Sequence, residues 1–373
     1  MKVWGVTGTN GKTTTTWIAA AFINADPARR CGSVTTVEVD TGTRRFSTGY
    51  TTPPLAQLKA IFAEMEANGC TDCVMEVSSH AIHQRRAGDT VFAGGVFTNL
   101  SEDHLDYHKT MAAYFDVKLD FARQIAAAHA TTPGMGRRDL PPYVVCLDGG
   151  YGREMFNAAG NLAVNVIPVS AAAPAYDLGR LQLAGDYNKS NVLCAAALAA
   201  AAGIPHETIQ RVIPELKPRW GRLERVPCAS RAAVYVDFAH TPDGLEKVLA
   251  AARGFTKGRL WVVFGAGGDR DPMKRPLMGA ACARFADRLV VTSDNPRGEE
   301  PQAIIAAILG GIPETRRQAV AVEPDRAKAI AYALREAAQG DVVIVAGKGH
   351  ETTQEIKGVK CPFDDREVVR SFR

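Results

Sequence analysis

At 373 residues the chain is too long for one ordinary hydrophobic core, so two domains are expected. Its 46% apolar and 23% charged residues describe a soluble globular protein, and a net charge of +4 is too small at this length to leave a nucleic-acid footprint. No apolar run reaches membrane-spanning length: the longest candidate, Ala195 to Ala202, is Ala-rich and reads as a buried helix.

The eight cysteines are scattered, as in a reducing cytoplasm, which is the expected location. Cys70 and Cys73 form a C-x-x-C, but no second pair has zinc-knuckle spacing, so packing is expected over a metal or redox role.

The first element sets the theme. An apolar run, Val3 to Val6, breaks into a Gly-rich loop ending Gly11-Lys12-Thr13, and helix-compatible sequence follows over Trp17 to Phe22. Strand, loop and helix in that order form a phosphate-binding P-loop, in which backbone N–H groups and a helix N-terminus surround phosphate oxygens. Gly8, Thr9, Asn10, Gly11, Lys12, Thr13 and Thr14 would make the cradle, with Lys12 on the β/γ-phosphates and the Thr13 hydroxyl on Mg²⁺. In the general pattern the first glycine falls on Val6, with Gly5 one place early. The alternative is a glycine turn that binds nothing. Because residues 2–13 already read as strand and loop, no cleavable leader is expected.

Further along, near-continuous apolar runs mark parallel strands covered on both faces. Polar clusters follow them: Glu76 to His80, Thr98 to His104, Asp237 to Pro242, Gly265 to Asp271, Thr292 to Arg297 and Ala346 to Glu351. Open parallel sheets bind ligands outside the carboxyl ends of their strands, so the layout is that of an enzyme. Residues 131–142 read as a loop excursion, Asn188 to Ala202 as a helix stopped by Gly203 and Pro205, and Ile213 to Gly221 as a hinge.

Glu76 and His104, just past strand ends, are plausible metal ligands, as phosphoryl transfer requires charge neutralisation. On its residue type and position alone Lys118 reads as solvated surface. Arg270, Asp294, Asn295, Arg297 and Glu351 form a set of mixed sign. Guanidinium groups can hold carboxylates bidentately and carboxylates can hold ammonium groups, which suits a zwitterionic amino acid; a surface salt-bridge network is the alternative.

These motifs together resemble the Mur ligase family, ATP-dependent enzymes that add amino acids to the peptidoglycan precursor, and among them the members that add meso-diaminopimelate. The resemblance rests on Gly5 to Thr13, Thr51-Thr52-Pro53, Glu76 to His80 with Gln84 and Arg86, Thr98 to His108, Gly221 to Glu224, Asp237 to Pro242, Gly267 to Asp271, Asp294-Asn295-Pro296-Arg297 and Gly347 to Glu351. It implies catalytic roles for Lys12, Glu76, His104 and Lys118, with Thr13, Glu76, His104 and Lys118 at Mg²⁺. Lys118 matches the family lysine that takes up CO₂ as a carbamate. Asn188, Arg222, Asp237 and His240 match positions near ATP. Thr51, Thr52, Ser78, Gln84 and Arg86 match contacts to a peptide or muramoyl-peptide acceptor; Arg270, Asp294, Asn295, Arg297, Gly347 and Glu351 match the diaminopimelate pocket.

The implied reaction phosphorylates a glutamyl carboxylate, and an amine then displaces phosphate, brought in by closure of a C-terminal domain. Phe238 stands where the family has Tyr, and Tyr50 where it often has Asn. The family's N-terminal UDP-gripping domain is expected to be missing, leaving three options: a weakly held UDP-linked acceptor, a separate UDP-binding chain, or a UDP-free peptide or γ-glutamyl acceptor. A non-catalytic ATP-binding cell-wall scaffold is the remaining alternative. The expected architecture is α/β: a P-loop NTPase-like parallel-sheet domain over 1–217 and a Rossmann-like amino-acid domain over 218–373, without membrane insertion.

Overall fold

The structure, a computed structural model, describes residues 1–129 and 136–373. They divide into two compact units, Met1–Leu216 and Lys217–Arg373.

The first unit runs β1 (Lys2–Thr7), α1 (Lys12–Asn24), β2 (Cys31–Val34), β3 (Val39–Asp40), β4 (Arg45–Phe46), α2 (Leu55–Ala67), β5 (Asp72–Glu76), α3 (Ser79–His83), β6 (Phe92–Phe97), α4 (Leu105–His108), α5 (Met111–Ala128), β7 (Pro142–Cys146), α6 (Gly152–Ala159), β8 (Asn165–Val169), α7 (Asp186–Ala201) and α8 (His206–Val212). Its strands lie in the order β4-β3-β2-β5-β1-β6-β7-β8. From β2 to β8 the pairing is parallel; β3 and β4 add an antiparallel margin that the sequence reading did not anticipate. Val3, Phe97, Phe121, Ile125 and Tyr143 belong to a buried core. Cys70 and Cys73 are buried in that same core as free thiols.

Gly5 explains the displaced first glycine of the loop motif. A Cβ there would lie 2.3 Å from Cζ of Phe121, so this glycine serves the strand's packing against α5 rather than the loop. Parallel register places Val6 opposite Glu76 and Thr7 opposite Phe97, which sets the loop after β1 beside Glu76 and beside Thr98-Asn99. Of the loop expected over 131–142, residues 131–135 lie outside the described residues; Arg137–Asp139 form a 3₁₀ turn, and Pro142 already opens β7, a strand position proline tolerates.

The second unit runs β9 (Glu224–Arg225), β10 (Ala233–Asp237), α9 (Pro242–Arg253), β11 (Leu260–Phe264), α10 (Lys274–Phe285), β12 (Arg288–Val291), α11 (Pro301–Gly310), β13 (Val320–Val322), α12 (Arg326–Glu336), β14 (Val342–Ala346), the hairpin β15 (Thr353–Ile356) and β16 (Val359–Pro362), and α13 (Asp365–Ser371). The order β13-β12-β11-β14-β10-β9 is parallel except for β9. Val234, Val236, Val263, Val290, Val343 and Val345 pack with Ile330 and Leu334 of α12 into its core. Register pairs Asp237 with Ala346 and Phe264 with Val291, so the loops after four strands emerge along one edge. Among the described residues, no helix is long and apolar enough to cross a membrane.

Candidate active site

In the first unit the loop between β1 and α1 is pinned from three sides. A Cβ on Gly8 (φ 149°) would fall 1.9 Å from the Thr98 hydroxyl, so only glycine lets the loop lie this close to the end of β6. Asn99 donates to the carbonyl of Asn10 at 3.1 Å and accepts from its N–H at 3.0 Å. Thr9 Oγ1 lies 3.1 Å from the Tyr114 hydroxyl. Gly11, in the left-handed region, caps α1. Thr13 and Thr14 are buried in its first turn, and Thr15 reaches Asn191 of α7 at 3.4 Å. Asn191 donates to Asn188 at 3.3 Å, which links Asn188 to this loop.

Two lysine amines converge here. Lys12 Nζ donates to the carbonyls of Gly8 at 2.9 Å and Thr9 at 2.8 Å. Lys118 is not solvated surface, as residue type and position alone suggested. Its helix, α5, packs on the sheet, leaves it 1% exposed, and turns Nζ onto Thr7 Oγ1 and the Gly8 carbonyl, both at 3.0 Å. Burial first, then the Lys12 charge, hold its pKa well below the ordinary lysine value, against the pull of Asp103 and Glu76.

Glu76, buried at the end of β5, accepts from the Thr36 N–H at 2.8 Å and the Thr36 hydroxyl at 3.1 Å. Thr36 also reaches Thr51 at 3.0 Å, while the Thr52 hydroxyl donates to the Glu76 carbonyl at 2.9 Å and accepts from the Ser78 N–H at 3.1 Å. Glu76, Thr51, Thr52 and Ser78 are therefore one network. Gln84 and Arg86 join each other at 2.9 Å, and Gln84 donates to Tyr107 at 3.2 Å, on a more exposed rim.

His104 has φ 56° and sits 3.5 Å from Asp103, edge-on to His80 at 4.9 Å between centroids. Desolvation pushes its pKa down to about 4, with the charges of His80, Lys12 and Lys118 acting the same way and Asp103 opposing, so the ring is neutral at pH 7. Among the described residues no group of three or more His, Cys, Asp or Glu side chains forms a ready metal cage. Mg²⁺ needs no such cage. It takes one or two protein oxygens and completes its octahedron with phosphates and water, which Thr13 and Glu76 suit.

In the second unit Asp237 accepts from the N–H groups of Leu223 at 2.6 Å and Ala239 at 2.7 Å. Burial raises its pKa while Arg222 opposes. The Arg222 guanidinium lies 4.6 Å from the Phe238 ring centroid, and His240 meets the same ring at 4.6 Å. The guanidinium, the ring and the two loops that carry them form one cluster without the tyrosine hydroxyl.

Asn295 donates to Glu351 at 2.9 Å, and the fully buried Lys348 donates to Asn295 at 3.1 Å and Glu351 at 2.8 Å. Asp294 lies close enough to Gly347 that a Cβ on the glycine would be 2.5 Å from its carboxylate. Arg297 donates to the Gly268 carbonyl at 2.8 Å. Arg270 is exposed and bonds the Asp269 carbonyl at 2.9 Å; like Arg297 it approaches Gly267. Asp294, Asn295, Arg297, Gly347 and Glu351 are thus gathered, with Arg270 at their edge. Asn99, Asn191, Tyr114, Lys348 and Arg326 escaped the sequence reading. Asn99 and Lys348 lie inside motifs already quoted, whereas nothing local marks the others.

Residues 6–199 match the family described as Mur ligase middle domain, and residues 221–349 that described as Mur ligase, glutamate ligase domain. A protein of Synechococcus elongatus named UDP-N-acetylmuramoyl-L-alanyl-D-glutamate--2,6-diaminopimelate ligase is 42% identical, covering 99% of this chain and 76% of its own. A Streptomyces coelicolor protein of that name is 40% identical over 98% of this chain and 74% of its own. A solved structure of a ligase with the same name aligns at TM-score 0.62 and 32% identity, over 100% of this chain and 78% of the other. With both domain types matched in order on this α/β scaffold, the chain belongs to the Mur ligase family of ATP-dependent ligases.

Proposed function

We propose that the chain joins diaminopimelate, in its meso form, to the glutamyl carboxylate of a muramoyl-peptide precursor, with the first unit activating the acid and the second holding the amine. The observation that carries this reading is one loop, Asp294 to Arg297, whose Asp294 lies against Gly347, whose Asn295 bonds Glu351 and whose Arg297 reaches the Gly268 carbonyl, a guanidinium and carboxylates placed for a substrate with charges at both ends.

In the proposed reaction the acceptor carboxylate attacks the γ-phosphorus of ATP and ADP leaves. The acyl phosphate that results is open to attack by an uncharged amine, and the tetrahedral intermediate expels phosphate to leave the amide. The loop N–H groups between Gly8 and Thr13 and the start of α1 bind phosphate oxygens, and Lys12 swings from the Gly8 and Thr9 carbonyls onto the anion. Mg²⁺, when bound, neutralises phosphate charge; Thr13, Glu76 and His104 would hold it. Lys118 enters as a carbamate, an anion formed from its uncharged amine and CO₂. Asn188, Arg222, Asp237 and His240 take the nucleotide, and Thr51, Thr52, Ser78, Gln84 and Arg86 the acceptor peptide. Arg297 and Arg270 face the donor's distal carboxylate, while Asp294 and Glu351 face its ammonium group. No relative described above supports a separate UDP-binding chain, and the proposal includes none.

Purified protein given ATP, Mg²⁺, UDP-N-acetylmuramoyl-L-alanyl-D-glutamate and meso-diaminopimelate should release phosphate and yield a product heavier by diaminopimelate less water. Phosphate release that proceeds unchanged without acceptor and amine would sink the proposal.

A further inference from the structure

The hairpin β15–β16 fixes the loop that carries Arg297. Gln354 donates to the Asp294 carbonyl at 2.6 Å, and the Glu355 N–H donates to Asn295 Oδ1 at 3.0 Å. Arg297 itself has φ 50°, a conformation that costs a side-chain-bearing residue free energy. It is held there by two backbone bonds to the hairpin: its N–H donates to the Glu355 carbonyl at 3.0 Å, and its carbonyl accepts from the Lys357 N–H at 2.6 Å. The hairpin thereby dictates where the guanidinium starts.

The same hairpin supplies that guanidinium with a counter-ion. Glu355 Oε2 lies 3.7 Å from Arg297 Nε, an ion-pair distance too long for a hydrogen bond, and both side chains keep some solvent contact, 28% and 21%. Three neighbouring acids have partners of their own. Glu351 is tied to Lys348 and Asn295, Glu299 to Arg275 at 2.7 and 2.8 Å, and Asp269 accepts from the Gly298 N–H at 3.0 Å. A substrate carboxylate could form two short charged hydrogen bonds with the fork of Arg297, which a contact at 3.7 Å does not.

We infer that Glu355 is a specificity-determining residue of the donor pocket, a resident carboxylate on Arg297 that an incoming donor carboxylate must displace. The inference rests on the reading that Arg297 receives that carboxylate. A donor that has the group competes with Glu355; a donor that lacks it leaves the Arg297–Glu355 pair as it is.

The test is Glu355→Gln in the full chain, with KM for meso-diaminopimelate and the competitive Ki of L-lysine, the same molecule with one carboxylate replaced by hydrogen. Removing the competitor should lower KM about threefold, the range of a partly exposed ion pair, with kcat and the KM for ATP unchanged. The lysine Ki should stay as in the wild type; lack of inhibition in both proteins counts as unchanged. An unaltered or raised KM overturns the inference, and so does a lysine Ki that falls in step, since that reports a general change of field. If the wild type forms no product with meso-diaminopimelate, the donor assignment fails and takes this inference with it. Product with an unchanged KM ratio removes the inference alone.

Discussion

Lys12 and Lys118 both donate to the carbonyl oxygen of Gly8, at 2.9 and 3.0 Å. One amine comes from the first turn of α1 and the other from the middle of α5, far apart in sequence. Like charges this close, with Lys118 buried, favour the uncharged amine on Lys118, the form that captures CO₂.

Activity is therefore expected to depend on dissolved CO₂. Turnover should fall in degassed, bicarbonate-free buffer and recover on adding bicarbonate, while Lys118→Met should lose on the order of 10²-fold or more in kcat and show no bicarbonate response. A wild-type rate indifferent to bicarbonate would remove the carbamate from the proposal.

Asn99 holds the phosphate loop by both polar groups of the Asn10 peptide. Asn99→Ala removes the bond to the Asn10 N–H and one of the bonds to its carbonyl, which keeps the Thr98 hydroxyl at 2.7 Å, at a site that must present N–H donors in a fixed array. With each such bond worth about 1 kcal/mol, KM for ATP should rise about 10- to 30-fold. Steady-state kinetics at saturating amine and acceptor will decide it.

Arg326 and Asp365 are both fully buried and share two bonds of 2.7 Å, and the same guanidinium donates to the Ala346 and Ser293 carbonyls. Asp365 opens α13, so this pair fastens the last helix beneath the strand ends that carry Asp294 and Gly347. Asp365→Ala strands a buried cation and should cost about 3 kcal/mol or more in chemical denaturation. A loss below about 1 kcal/mol would mean that the guanidinium reaches water.

His350 lies tilted against Phe238 with its Nδ1 buried and unbonded, and its pKa is held down to about 3 by burial and then by the charges of Arg222, Arg366, His240 and Lys348. The unfolded chain protonates this residue near pH 6.5, the folded chain only near 3. Between those values the unfolded state binds the extra proton. The stability tied to the neutral ring is complete above about pH 6.5 and is lost as pH falls toward 3, about 1–2 kcal/mol of it between pH 7 and pH 5. His350→Gln should flatten that part of the pH profile, read as a smaller drop in melting temperature than in the wild type.

Local sequence was enough to place the polar clusters at the ends of strands. The run from Val3 to Lys12, the polar clusters after β5, β6, β10, β12 and β14, and the two α/β units all follow from apolar runs broken by glycine and polar residues, because a parallel strand buried on both faces can put its polar groups only at its end. The antiparallel margin β3–β4 and the hairpin β15–β16 were not legible: these short strands carry no buried run, and four of the hairpin residues, from Val359 to Pro362, are exposed. Nor was the setting of Lys118 or Lys348. A lysine reads as surface until the fold removes its water, and that decision belonged to α5 packing on β1 and to the loop after β14 closing over Asn295, contacts no window of neighbouring residues contains.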